Sequence, residues 1–176
     1  MKQIKNVLKT ASFTLLATLI SCTSSAQNPT ISTKHSDSEI ANLIQNYKNS
    51  RNRDVRVDGV LSQNFRQHFP NARDVEWETN DEIFEVEFEI QNRDFQAYYD
   101  KDGNLLLFIQ DIGTRELPSN VRNVASERYP RYRIDDVDRI VKGTQTFFKI
   151  EMELRDHDVT IYIANDGTVL DRRPIY

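Results

Sequence analysis

The chain has 176 residues, with 23 Lys and Arg against 27 Asp and Glu and a formal net charge of -4. It has no basic block of the kind that nucleic-acid phosphates demand. One cysteine and three histidines supply neither a disulfide framework nor a Cys/His zinc site. Five scattered glycines leave no phosphate-cradling loop.

The first segment reads as an address. Lys2, Lys5 and Lys9 precede an apolar, charge-free stretch from Ala11 to Ile20. Ten residues are too few to cross a bilayer of about 30 Å, which takes roughly 20, so the pattern predicts a signal peptide over residues 1–21. Leu19-Ile20-Ser21-Cys22 resembles a bacterial lipobox, with Cys22 as the lipidation site. Ser24-Ser25-Ala26 offers ordinary signal peptidase a rival cut, but the sole cysteine lies where a lipobox needs it. The expected location is the periplasm, or the outer membrane through a lipid anchor and no other membrane contact. Cleavage before Cys22 leaves 20 basic against 27 acidic residues, a mature charge of -7.

Residues 22–58 predict a polar tether with one short helix. Ser38 followed by Ile40, Leu43, Ile44 and Tyr47 gives helical i, i+3, i+4, i+7 spacing, and packing on the body is its expected use.

The remainder repeats itself, in units expected at 59–113 and 114–176. Phe69-Pro70 matches Tyr129-Pro130 at an offset of 60. Phe84 to Ile90 matches Phe148 to Leu154, and Asp94, Tyr98, Asp102 and Gly103 match Asp158, Tyr162, Asp166 and Gly167, all at an offset of 64. Four extra residues therefore lie between the second unit's helix and its central hairpin. Each unit opens with a helical pattern, Leu61, Phe65, His68 and Phe69 in one and Val121, Val124, Ala125 and Tyr129 in the other. Pro70 and Pro130 stop those helices, because proline lacks the N–H and disfavours α geometry before it.

Strands follow. From Ile83 to Ile90, Phe84, Val86, Phe88 and Ile90 alternate with Glu85, Glu87 and Glu89. Phe95–Tyr99 and Val159–Ile163 are the next strands, and Asp102-Gly103 and Asp166-Gly167 supply the turns that reverse the chain. Clean alternation predicts antiparallel strands with one covered and one wet face. Leu105 to Ile109 is apolar on both faces, which predicts the junction between the units.

Tandem helix-plus-strand units with the Phe/Tyr-Pro helix stop and the Tyr-x-x-x-Asp-Gly hairpin, behind an export signal, resemble the PepSY-like, β-lactamase-inhibitor-like family of exported Gram-negative proteins. The resemblance covers residues 58–173. It implies an α+β fold like that of the β-lactamase inhibitory protein, two tandem helix-plus-antiparallel-sheet units with the helices on one face of the sheet. It also implies one continuous concave sheet that serves as a binding surface.

No residue set suggests catalysis. No nucleophile motif accompanies a base and an orienting group. His35 lies in the tether, His68 on the apolar helix face as a packed or boundary residue, and His157 in a solvated hairpin. Asp100-Lys-Asp-Gly-Asn104 resembles a calcium-loop fragment, but its counterpart at 164–168 keeps only Asp-Gly, so a hairpin turn explains what the copies share. Asp135, Asp136 and Asp138 predict a solvated edge.

Charge divides unevenly between the units. Residues 60–112 hold 12 acids and 4 bases, whereas 117–176 hold 10 of each. Glu85, Glu87 and Glu89, about 7 Å apart along one strand, share the wet face with Tyr98, as Tyr162 does in the second unit. Trp77 has core parity. These residues form the candidate partner-binding face, for an envelope protein or peptide of basic or polar character. The expected function is a non-enzymatic exported binding module without cofactor or metal. The alternatives are an inhibitor of an envelope protease or β-lactamase, and a small-molecule or cation-binding periplasmic protein.

Overall fold

A computed structural model describes residues 29–170 of the chain. Its elements in order are α1 (Asp37–Lys48), β1 (Arg53–Asp54), α2 (Gly59–His68), β2 (Arg73–Thr79), β3 (Ile83–Glu89), β4 (Asp94–Asp100) and β5 (Leu105–Asp111). A short 3-10 turn at Thr114–Glu116 leads to α3 (Ser119–Arg128), β6 (Arg133–Lys142), β7 (Gln145–Leu154), β8 (His157–Ala164) and β9 (Val169–Leu170). The strands form one nine-stranded antiparallel sheet in sequence order, so every strand pairs with its sequence neighbours.

The two units are built alike, and β5 joins them by pairing with β6 from Leu107↔Lys142 to Asp111↔Asp138. α2 covers the first unit with Leu61, Phe65 and Phe69 against Val86, Phe88 and Phe108. α3 covers the second with Val121 and Ala125 against Val137, Ile150 and Ile163, on the same side of the sheet. Trp77 packs as its parity predicts, its ring 5.3 Å from Phe65 and 5.8 Å from Tyr99. Each Asp-Gly turn lies under its unit's helix. Asn64 Nδ2 donates to Gly103 O at 2.8 Å, and Asn120 Nδ2 to Asn165 O at 2.9 Å. Both glycines have positive φ, 80° and 94°, which L side chains rarely adopt.

Register shows where the extra four residues go. Glu76 pairs Glu87 as Asp136 pairs Glu151, and each strand carries a bulge just before that pair. The match runs to Thr79↔Phe84 and Arg139↔Phe148. The insertion therefore lengthens the β6–β7 hairpin beyond its counterpart, adding Ile140 and Phe147 to the sheet face opposite α2 and α3.

That second face is not wholly wet. α1 lies on it, with Ile40, Ile44 and Tyr47 buried against Ile83, Tyr98, Leu106, Leu107, Ile140, Phe147 and Tyr162. The apolar second face of Leu105–Ile109 is thereby covered by α1, while the helices of the two units, α2 and α3, share the other face as expected. The helix starts at Ser36, not Ser38. Ser36 and Glu39 satisfy each other's backbone N–H groups in a capping box, because the reciprocal bond needs Glu three residues after the cap.

Residues 31–58, expected to be mostly tether, belong to the body. Ile31 is buried, Ser32 N donates to Leu105 O at 2.9 Å, and Lys34 and His35 both reach Asp100. β1 pairs with β2 through Arg53↔Thr79 and Asp54↔Glu78, as Gln110 and Asp111 pair with Arg139 and Asp138. β1 thus stands before α2 as the end of β5 stands before α3. Polar composition concealed this because α1 contributes few, well-spaced apolar residues and β1, Arg53–Asp54, none.

Candidate binding face

The expected site residues share one face but differ in exposure. Tyr98 is 1% exposed, Tyr162 8% and Glu85 6%. Alternation puts them on one face, and the helix over it removes Tyr98, Tyr162 and Glu85 from the wet surface. Glu87 is exposed, and Glu89 is partly so.

Glu85 is held from two sides. Lys48, the last residue of α1, brings Nζ within 3.1 Å of Glu85 Oε1 and 5.3 Å from the centre of the Tyr98 ring. The Tyr98 hydroxyl lies 2.8 Å from the same carboxylate oxygen and 2.9 Å from Gln96 Oε1. A nearly buried carboxylate needs such partners, because an unpaired charge in low dielectric is costly. Tyr47 meets Tyr98 edge-on at 5.9 Å. Its phenol is pushed up by burial and by the nearby Glu85 and Glu78 carboxylates.

Beyond the end of α1 the face opens into a trough of about 580 Å³. Register arranges its residues in rows across the strands. One row carries Glu76, Glu87, Gln96, Ile109 and Ile140. The next carries Glu89 and Asp94, then Asp111, Asp138, Lys149 and Tyr162. Ile109 is the partly exposed apolar residue of the trough floor, with Ile140, Tyr98 and Tyr162 buried beneath, and carboxylates stand on both sides of it. Gln96 Nε2 donates to Glu87 at 3.0 Å. Lys149 sits between Asp138 at 3.1 Å and Glu151 at 2.6 Å. Partial burial and the neighbouring Asp136 and Asp94 raise Asp111, while burial raises Asp138 against the opposing pull of Lys149.

The acidity therefore crosses the unit boundary, and Asp138 is a half-buried member of the trough rather than a solvated edge residue. Lys48, Asp111, Asp138 and Lys149 were not among the expected site residues. Pairing β5 with β6 aligns Asp111 and Asp138 with Glu89 and Asp94, and that pairing was the missing signal. The other chemical candidates resolve as structure. Asp100 accepts from Asp102 N and Asn104 N at 2.9 Å each, which closes the hairpin turn. His68 Nδ1 lies 3.1 Å from the Tyr99 hydroxyl, and burial lowers its basicity. His157 is exposed. Among the described residues no group of three or more His, Cys, Asp or Glu is arranged to hold a metal ion. No helix among them is long and apolar enough to cross a membrane.

No protein-family profile matches the chain, and no curated protein does. Solved structures do match. A BLIP-like protein from Bacteroides fragilis superposes with a TM-score of 0.59 at 20% identity, over 68% of this chain and 86% of that one. The chain has a BLIP-like fold. A DUF2874 family protein from Bacteroides uniformis gives 0.59 at 15% identity, over 65% of this chain and 87% of its own. A Bacteroides eggerthii protein assigned provisionally to the periplasm gives 0.60 at 14%, over 68% and 89%. At these identities the BLIP-like fold is the property shared, and the trough has to be read from this chain's own residues.

Proposed function

We propose that the chain is a non-enzymatic, exported binding module of the bacterial envelope that holds a basic protein or peptide on the open part of its sheet. The observation that carries the reading is the trough, a concave surface with Ile109 at its floor and Glu76, Glu87, Glu89, Asp94 and Asp111 around it. Such a composition suits recognition, since apolar contact supplies affinity and complementary charge supplies rate and selectivity. Among the described residues no arrangement of nucleophile, base and orienting group accompanies it. The signal-peptide pattern and the provisional periplasmic assignment of a structural neighbour support export. The lipobox supports anchoring through Cys22, which lies outside the described residues. Inhibition of a protease or β-lactamase is the second reading, favoured by the BLIP-like fold alone.

The test is affinity capture from envelope extract with the wild type and with a Glu87→Lys, Glu89→Lys, Asp111→Lys variant whose folding is checked by circular dichroism. The wild type should retain basic partners that the variant loses. Identical captures, or none, would overturn the reading.

A further inference from the structure

The trough already contains two cations of its own, and both are lysines. Lys48 reaches in from α1 and ends on Glu85, with its ammonium over the Tyr98 ring. Lys149 stands on the floor between Asp138 and Glu151. The two show the same geometry. In each the ammonium meets a carboxylate at hydrogen-bond distance, and in Lys48 it also lies over an aromatic ring. Lysine suits such a place because its compact charge needs no planar fork of acceptors.

The remaining acids line the same face, Asp111 with Arg93 nearby. Among the described residues Glu76, Glu87, Glu89, Asp94 and Asp111 form no ion pair. They border Ile109, with Ile140 and Tyr162 buried beneath. The rows follow neighbouring strands about 4.8 Å apart, within the span that adjacent long side chains of one segment can cover. Burial raises Asp111, as do the like charges of Asp136 and Asp94, against the pull of Arg93. An added ammonium would relieve that repulsion.

We infer that the open trough takes a lysine-bearing segment of a partner protein, whose ammonium groups seat on Glu87 and Asp111 as Lys48 seats on Glu85. The inference rests on the reading of the trough as a protein-binding site and specifies its ligand chemistry. It gives Lys48 a second role. As the cation already seated at the mouth of the trough, it competes for the Glu85 and Tyr98 position, and a partner's lysine extends into that position once Lys48 is removed.

The test uses fluorescence anisotropy with the protein purified from cell envelopes. The probe is a fluorescein-labelled peptide of alternating lysine and serine, compared with the same peptide acetylated at every Nε. Acetylation should weaken binding at least about tenfold, as should a Glu87→Gln, Asp111→Asn double variant. Lys48→Gln should tighten binding a few-fold, with folding verified by circular dichroism. Equal binding of the two peptides overturns the inference, and so does an unchanged affinity in the double variant. A protein that captures envelope partners but ignores the lysine peptide refutes the lysine assignment and leaves the binding reading standing. Loss of both refutes both.

Discussion

At the scale of single residues, the histidine on the first repeat helix shows how a polar group becomes structural. His68 is half-buried beside Tyr99, with the two rings stacked at 5.9 Å. Burial lowers its pKa from the ordinary 6.5, so the native state favours the neutral ring. The sign follows from linkage. A depressed folded pKa contributes stability that is present above 6.5 and is lost as pH falls through the lowered folded value. Thermal unfolding should therefore show a drop in Tm between about pH 7.5 and about pH 5 that is smaller in His68→Gln. An identical drop in both proteins would assign the acid sensitivity to other groups. The sequence pattern had placed His68 on the packed side because its spacing follows Leu61 and Phe65. It could not reveal the Tyr99 partner, which approaches from a strand 31 residues away.

At the scale of elements, α1 decides which part of the sheet is available. Its three buried residues lie on a platform that the repeat alone does not complete, since Ile140 and Phe147 come with the four-residue extension of the second hairpin. Ile44 is fully buried there. Ile44→Ala should cost about 2–5 kcal/mol, the usual range for truncating a large core aliphatic. Ser36→Ala should cost only about 1 kcal/mol through the lost cap. Urea denaturation followed by circular dichroism measures both, and comparable losses would mean that the helix is held chiefly by its own end. The helix, the strands and the turns were legible because each depends on local spacing: 3.6-residue periodicity, strict alternation or Asp-Gly chemistry. The platform was not. Whether the Tyr98 face meets water or a helix depends on a contact between segments far apart in sequence, and alternation reports only that two faces differ. The trough rows were hidden for the same reason, because they exist only after five strands are placed in register.

At the scale of the whole molecule, the segment that packs as α1 and β1 shortens the distance between body and anchor. Ile31 is already buried. With the proposed anchor at Cys22, nine residues precede Ile31, and even fully extended they reach about 30 Å. The sheet would then stand within about one bilayer thickness of the membrane surface. Mass spectrometry of the native mature N-terminus should find Cys22 carrying a diacylglyceryl group. A free terminus downstream of Ala26 would instead mean a protein released into the periplasm. The uneven charge of the units acquires a spatial meaning at this scale. Most of the acidity belongs to the unit nearer the N-terminal end, and Asp111 and Asp138 carry it across the join.

The strand order has a consequence for how the chain acquires its structure. Each strand pairs only with neighbours in sequence, so most pairings close short loops and carry little entropic cost. Low contact order of this kind favours rapid folding. A chain threaded outward from its N-terminus through an export channel can therefore add each new strand to the edge left by the one before. It never has to hold an early strand open for a distant partner. α1 is the exception: it emerges first, and two residues of its platform, Ile140 and Phe147, belong to the β6–β7 hairpin, which emerges late. Its docking is expected to be the closing step of folding, when Ile140 and Phe147 arrive to meet it.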